Sequence, residues 1–176
     1  MSKRFPSLSD ILPVFAIIAA LFYGWTMLVF LWKLPGWLFF LSLGEIAVLF
    51  AFELAVNLFE SLAVLALILL VTALLPPRLL KDHFPARGGA VALAVVGTMI
   101  LLLHLAVTKR IGLAASWPTW TLLIGLLSAS LAWVASRFGI AGRFLAGLGD
   151  RLTVFLFILL PLSVISLAVV LVRLFF

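Results

Sequence analysis

The sequence predicts an all-α integral membrane protein, a polytopic helix bundle with five transmembrane helices. Of its 176 residues, 66% are apolar and only 10% are charged, and the mean hydropathy is +1.40. A soluble domain carries about 25% charged residues, so this chain has too few of them to cover a water-facing particle. The apolar residues also form long runs, of the length a helix needs to cross a hydrocarbon core about 30 Å thick. We therefore treat residues 1–176 as a single membrane domain.

The charged residues follow the pattern of a membrane protein. The net charge of +6 arises from 12 Lys and Arg against 6 Asp and Glu. The basic residues lie in the gaps between apolar runs, which is typical of membrane topology and of contact with anionic lipid headgroups. We therefore expect membrane lipids as partners and no nucleic acid. The chain has no cysteine, which excludes disulfides, thiolate metal sites and thiol catalysis.

The first apolar run, residues 11–32, predicts a retained transmembrane helix. The polar segment before it and the lack of a small-residue cleavage site argue against a cleaved signal peptide. Because Pro and Gly together mark a turn, we expect residues 33–36 to end this helix.

The second run, residues 37–75, has two interpretations, one long helix or two short ones. No Gly or Pro occurs between Glu45 and Leu75, so turn signals favour one helix. If the N-terminus is cytoplasmic and this run forms one helix, most of the basic residues lie on the cytoplasmic side. If the run forms two helices, the basic residues are divided more evenly between the two sides. The positive-inside rule therefore favours five spans over six, with the C-terminus outside. At about 58 Å, this second helix would be overlong for a bilayer, so we expect its N-terminal third at or beyond the outer surface.

Three further runs predict helices at about 90–108, 119–136 and 152–172. The cytoplasmic loops at 78–89 and 137–151 interleave basic residues with Phe and Leu, as segments lying on an anionic leaflet do. The residues expected to contact lipid headgroups are Arg78, Lys81, Arg87, Arg137, Arg143 and Arg151. This layout predicts a multi-pass protein of the bacterial cytoplasmic (inner) membrane.

One face of the second helix carries the most informative side chains. Its three glutamates are the only ionised residues between Trp37 and Leu75. At about 100° per residue, five polar residues fall within a sector of about 120°. They are Ser42, Glu45, Glu53, Asn57 and Glu60. Because carboxylates are costly within a membrane, we expect this face to contact protein or water, as a partner-docking surface or an ion path.

Three basic residues close to predicted outer helix ends are candidate partners for these acids within the chain. Lys109 and Arg110 follow the third helix, and Arg173 follows the last one. We expect at least one of Glu45 and Glu53 to pair with this group. Glu60 lies deeper, where no lysine or arginine is expected at its level.

His104 is the best histidine candidate to approach Glu53 or Glu60, although a lone His on an apolar helix is more often a packing residue. The two histidines, one in a loop and one in a helix, do not suit a bis-His haem site. No metalloprotease, paired-Asp or Gly-x-Ser-x-Gly motif occurs. We therefore predict no catalytic residue, metal site or cofactor, expect bound lipid, and find a pigment or haem unsupported.

Two functions fit this sequence. The first is a non-catalytic subunit or scaffold of a larger membrane complex, with other membrane subunits or copies of itself as partners, docking through the acidic face. The second is a small oligomeric transporter or channel for cations or protons, using the intramembrane glutamates. No second acidic helix and no inverted repeat supports the second function.

Overall fold

The computed structural model describes residues 6–74, 84–109, 117–137 and 139–175. Over these ranges the chain forms five helices and no strand. They are α1 (Leu8–Trp37), α2 (Leu43–Leu74), α3 (Phe84–Lys109), α4 (Trp117–Arg137) and α5 (Gly139–Phe175). Four of them are long and apolar enough to cross a membrane, and α4 has a shorter apolar core at Thr119–Val134. The predicted class of multi-pass, all-α membrane protein is thus confirmed, while α4 as a fifth span stays a prediction.

Residues 43–74 of the second apolar run form one uninterrupted helix, as the absence of turn signals predicts. The predicted start at residue 37 is wrong, because Trp37 ends α1 and the chain reverses before Leu43. Helix α2 has 32 residues, more than a bilayer requires. It is not the only long helix, because α5 has 37 residues. Long helices are therefore a general feature of this bundle.

The predicted helix end at residues 33–36 is wrong, because α1 continues through Pro35 to Trp37. A proline inside a helix removes one backbone hydrogen bond, and here only half a turn of helix follows it. The chain reverses instead at residues 38–42, where the Leu41 N–H donates to the Trp37 carbonyl at 2.8 Å. Lys33 is consequently a helical residue and not a loop residue.

The predicted loops also extend too far, because α5 begins at Gly139 instead of 152 and α3 at Phe84 instead of 90. Some of the glycines in these predicted loops are sites of close helix contact. A Cβ atom on Gly149 would lie 2.7 Å from Pro13 Cβ, and one on Gly89 would lie 2.9 Å from Ile17 Cδ1. Small residues at such positions let helix backbones approach one another in a membrane.

Helix α1 is the centre of the bundle. It contacts α2, α3 and α5, while α4 lies outside and packs on α3 and α5. The core is built around the N-terminal half of α1, where Val14, Ile17 and Ile18 are fully buried. Because α2 and α5 pack on α1 along one side only, much of their surface remains free for lipid or for another protein.

Buried polar side chains connect α1 to α2 and α5. The Tyr23 hydroxyl lies 2.6 Å from Ser163 Oγ. Either hydroxyl can donate in this bond, because Ser163 can also donate to the Leu159 carbonyl and Tyr23 to the Leu54 carbonyl at 3.5 Å. The Thr26 hydroxyl donates to Asn57 Oδ1 at 2.9 Å. These two bonds set the depth of α2 and α5 against the central helix.

Candidate functional site

The first two residues of the predicted acidic face form the N-terminal cap of α2. The Ser42 backbone N–H and hydroxyl each donate to Glu45 Oε2 at 2.8 Å, and the Glu45 N–H faces Ser42 Oγ at 3.3 Å. This reciprocal arrangement is a capping box, which satisfies backbone donors that have no partner within the helix. The Ser-x-x-Glu spacing before an apolar run is its sequence signal. Glu45 therefore has a structural role at the helix end.

Glu45 also lies near Arg173, one of the three basic residues considered as partners. The two side chains line a shallow cavity of about 430 Å³ between the start of α2 and the end of α5. The Arg173 charge interacts favourably with the Glu45 carboxylate across this cavity. Arg110 and the side chain of Lys109 lie outside the described residues. The structure thus brings together one predicted acid and one predicted base at this end of the bundle.

The other three polar residues of the face, Glu53, Asn57 and Glu60, share a different cavity. It has a volume of about 480 Å³ and is formed by α1, α2 and α3. Thr26 and Lys33 of α1 line it as well, and the rest of its wall is apolar. We call this cavity the acidic groove. The predicted face is therefore divided into a helix cap and a groove.

The three residues of α2 differ in their exposure within the groove. Glu53 and Glu60 are exposed, whereas Asn57 is only 2% exposed. The Asn57 Oδ1 accepts the hydrogen bond from Thr26, but its Nδ2 has no partner among the described residues. An amide donor that is buried without a partner costs about 1–3 kcal/mol. The groove thus contains two exposed acids and one donor that lacks an acceptor.

Large apolar side chains surround the exposed acids on the outside of α2. Phe52, Val56 and Phe59 are 50%, 42% and 58% exposed. A soluble protein would bury such residues, so this surface faces lipid or another membrane protein. Charged carboxylates are unfavourable beside lipid chains. The chain itself leaves the side of α2 that carries Glu53 and Glu60 open, and the contact of this face with a partner protein or with water stays a prediction.

Lys33 is the groove residue that the sequence reasoning missed as a partner. The predicted turn at residues 33–36 placed it outside the helix, whereas the longer α1 directs it to the same cavity as Glu53. Its Nζ lies 6.0 Å from the ring centroid of Trp37, at the limit of a cation–π contact. Across the described ranges, no lysine or arginine nitrogen lies within 4.0 Å of a Glu53 or Glu60 oxygen. The i, i+4 spacing of Lys33 and Trp37 was the available signal for a continuing helix.

His104 packs against Trp25 and not against the glutamates. The two rings form an edge-to-face pair with centroids 6.1 Å apart. Trp25 lines the acidic groove, so His104 supports its wall from α3. Within the described part of the chain, no group of three His, Cys, Asp or Glu side chains is placed to hold a metal ion. His104 thus makes an aromatic contact with a residue of the groove wall, and its approach to the glutamates stays a prediction.

The basic residues predicted to contact lipid headgroups belong to helices where they are described. Arg87 lies in the first turn of α3, Arg137 ends α4, and Arg143 and Arg151 belong to the first half of α5. The last three are exposed, and the Arg143 Nε–H donates to the Gly139 carbonyl at 3.2 Å. Arg78 and Lys81 lie outside the described residues. Headgroup contact by this group stays a prediction.

Comparison of the chain with protein family models, curated proteins and solved structures finds no match. Fold and site together define a class, a multi-pass helical membrane protein with an acidic groove on one side.

Proposed function

We propose that this protein is a non-catalytic membrane subunit or scaffold of a larger membrane complex, and that it docks through the acidic groove. The main observation in favour of this proposal is that Glu53 and Glu60 are exposed on the side of a 32-residue apolar helix. An acidic side chain at the centre of a transmembrane helix costs about 2.5–3.5 kcal/mol. A partner that covers the groove would remove both carboxylates from lipid. The chain therefore acts by presenting a surface.

The same proposal includes a location and a topology. The alternation of apolar helices and basic gaps supports a bacterial cytoplasmic membrane protein whose N-terminus is cytoplasmic and whose C-terminus is outside. This topology requires α4 to be the fifth span. Its apolar core, Thr119–Val134, is shorter than those of the other helices. A partner packed beside α4 would accommodate a short span at modest cost.

A small oligomeric cation or proton transporter is the second candidate function. The observation in its favour is that Glu53, Asn57 and Glu60 line one cavity. Lys33 lines that cavity too, and its positive charge opposes the entry of cations. If the groove conducts, purified protein in liposomes will carry a proton or cation flux that Glu60→Gln abolishes. Flux that is unaffected by Glu60→Gln would exclude this residue from any path.

The docking function is tested by isolating the native protein in a mild detergent. We expect one or more other chains to co-elute in stoichiometric amounts. The double variant Glu53→Gln/Glu60→Gln should reduce the co-eluting amount at least about tenfold, because breaking one buried charge pair costs about 2–5 kcal/mol. Quantitative mass spectrometry of the eluted complex measures the ratio of the chains.

Glu45→Gln is the matched control for this experiment. It removes one carboxylate from the same helix but keeps the capping box, in which Gln replaces Glu. We expect it to leave the co-eluting amount unchanged. A wild-type protein that elutes alone, or partners that are retained equally by the double variant, would contradict docking through the groove.

A further inference from the structure

The depth of Glu60 restricts what can occupy the acidic groove. Glu60 follows Leu43 by 17 residues and precedes Leu74 by 14. At about 1.5 Å per residue, it lies about 25 Å from one end of α2 and about 21 Å from the other. A hydrocarbon core is about 30 Å thick, so Glu60 lies well inside it. Lipid headgroups stay at the surface, and the occupant at this depth must itself be a transmembrane segment.

The charges of the groove restrict the chemistry of this segment. Lys33 lies about one turn before the end of α1, at the outer end of the groove, whereas Glu60 lies at its inner end, where Phe22 also lines the cavity. Across the described residues, Glu60 has no cation within ion-pair distance. The neighbouring Asn57 is buried together with its unpartnered Nδ2, so the exposed carboxylate of Glu60 is the polar group that meets an occupant at this end. A complementary segment therefore presents a positive charge to Glu60.

Among the residues that the structure describes, a second copy of this chain offers no lysine or arginine at the required depth. The Thr26–Asn57 bond places Glu60 about level with Tyr23 of α1. Arg87 precedes Gly88, and Gly88 packs on Val14. Arg87 is therefore about level with Val14, which lies nine residues before Tyr23 in α1. This separation is about 13 Å along the membrane normal.

The other described basic side chains are as far away or farther. Arg151 lies two residues after Gly149, and Gly149 packs on Pro13, so Arg151 is near the level of the start of α1. Arg143 lies about two turns before Arg151 in α5 and is therefore still farther from Glu60. Arg173 is level with Glu45, 15 residues of α2 from Glu60 and about 22 Å away. Copies in a closed symmetric oligomer around the membrane normal share one orientation and one depth. Within the described ranges, self-association therefore provides no lysine or arginine that would pair with Glu60.

We infer that the acidic groove binds a transmembrane helix of a different protein, one that carries a lysine or arginine at the depth of Glu60. The inference rests on the proposed docking function and names the chemistry of the partner. The bond it adds is an ion pair between the Glu60 carboxylate and the basic side chain, in a low-dielectric environment.

A designed peptide tests this inference without knowledge of the natural partner. The probe is a transmembrane Leu-Ala helix of about 21 residues with one central arginine, and its control replaces that arginine with leucine. Because the chain has no cysteine, Leu38→Cys in the turn between α1 and α2 gives one site for a fluorescent donor. Energy transfer in phosphatidylcholine vesicles then measures association with acceptor-labelled peptide. We expect the arginine peptide to bind at least about tenfold more tightly than the leucine peptide.

Variants of the protein identify the source of this preference. Glu60→Gln should remove the difference between the two peptides, and Glu45→Gln should keep it. Equal binding of the two peptides, or a preference that survives Glu60→Gln, would overturn the inference. Association between donor- and acceptor-labelled copies of the protein that Glu60→Gln weakens would also overturn it, because the groove would then bind a second copy.

The peptide assay tests the basic partner helix, whereas the isolation of the native complex tests the docking function, so the two results can differ. If the native partner is lost with Glu53→Gln/Glu60→Gln but the arginine peptide shows no preference, docking stands and the basic partner helix is wrong. If native partners are retained by the double variant, the docking function itself is wrong.

Discussion

At the residue scale, three glutamates on one helix differ in role because their surroundings differ. Glu45 accepts hydrogen bonds from Ser42 and stabilises a helix end. Glu53 and Glu60 accept no such bonds from the described residues and lie exposed in the groove. The shared helical face was predictable from spacing alone. The Ser-x-x-Glu spacing of Ser42 and Glu45 also predicts the cap. Interpreting all five polar residues as one functional face leaves no separate role for these two.

The bond between Tyr23 and Ser163 gives a prediction at this scale. Tyr23→Phe and Ser163→Ala should each lower the free energy of unfolding by about 0.5–1.5 kcal/mol, the range of a single interhelical hydrogen bond. The double variant should lose less than the sum of the two single losses, since both single variants remove the shared bond. Reversible unfolding in mixed micelles of a mild detergent and sodium dodecyl sulfate measures these energies. Fully additive losses would contradict a direct bond between the two hydroxyls.

At the element scale, α3 and α5 are longer than predicted because glycines within them were interpreted as loop residues. A glycine is a turn signal by its backbone freedom, and Gly139–Arg151 contains four of them. In the folded bundle this segment is helical, and Gly149 lies directly against the backbone of Pro13. Position 149 requires a glycine because Pro13, which is far away in the chain, packs against it. The sequence around Gly149 does not show that Pro13 is its neighbour.

Two glycines in the same turn of α5 test this explanation. Gly149→Ala would place a methyl group 2.9 Å from the Pro13 carbonyl oxygen and should destabilise the protein by about 1–3 kcal/mol. Gly147→Ala meets no atom within 4 Å and should be neutral or stabilising by up to about 1 kcal/mol, since alanine is the better helix former. The same unfolding assay measures both. A neutral Gly149→Ala would show that α5 does not pack closely on α1.

At the scale of the whole molecule, the central position of α1 explains why a groove exists. Helices α2, α3 and α5 each pack on α1, and α2 and α3 contact one another less than they contact α1. The space between them becomes the acidic groove, with α1 as its floor. Under the proposed docking function, this open groove is the surface that a partner helix would fill.

The number of spans gives a prediction for the whole chain. If α4 crosses the membrane, five spans place the two termini on opposite sides, whereas four spans place them on the same side. We expect a membrane-impermeant maleimide to label Phe176→Cys in intact spheroplasts and to label Ser2→Cys only after permeabilisation. The absence of native cysteine makes the labelling specific. Labelling of both or of neither in intact spheroplasts would contradict five spans.

The sequence by itself determined what is set by composition and by local spacing. Long apolar runs require a membrane, the absence of Gly and Pro keeps α2 in one piece, and the helical repeat places Glu53, Asn57 and Glu60 on one face. Only the tertiary structure decided that this face is divided between a cap and a groove, and that Lys33 lines the same groove. The physical reason is that exposure and pairing depend on which helices pack together. That choice is made by contacts between residues far apart in the chain, such as Gly149 with Pro13 and Thr26 with Asn57.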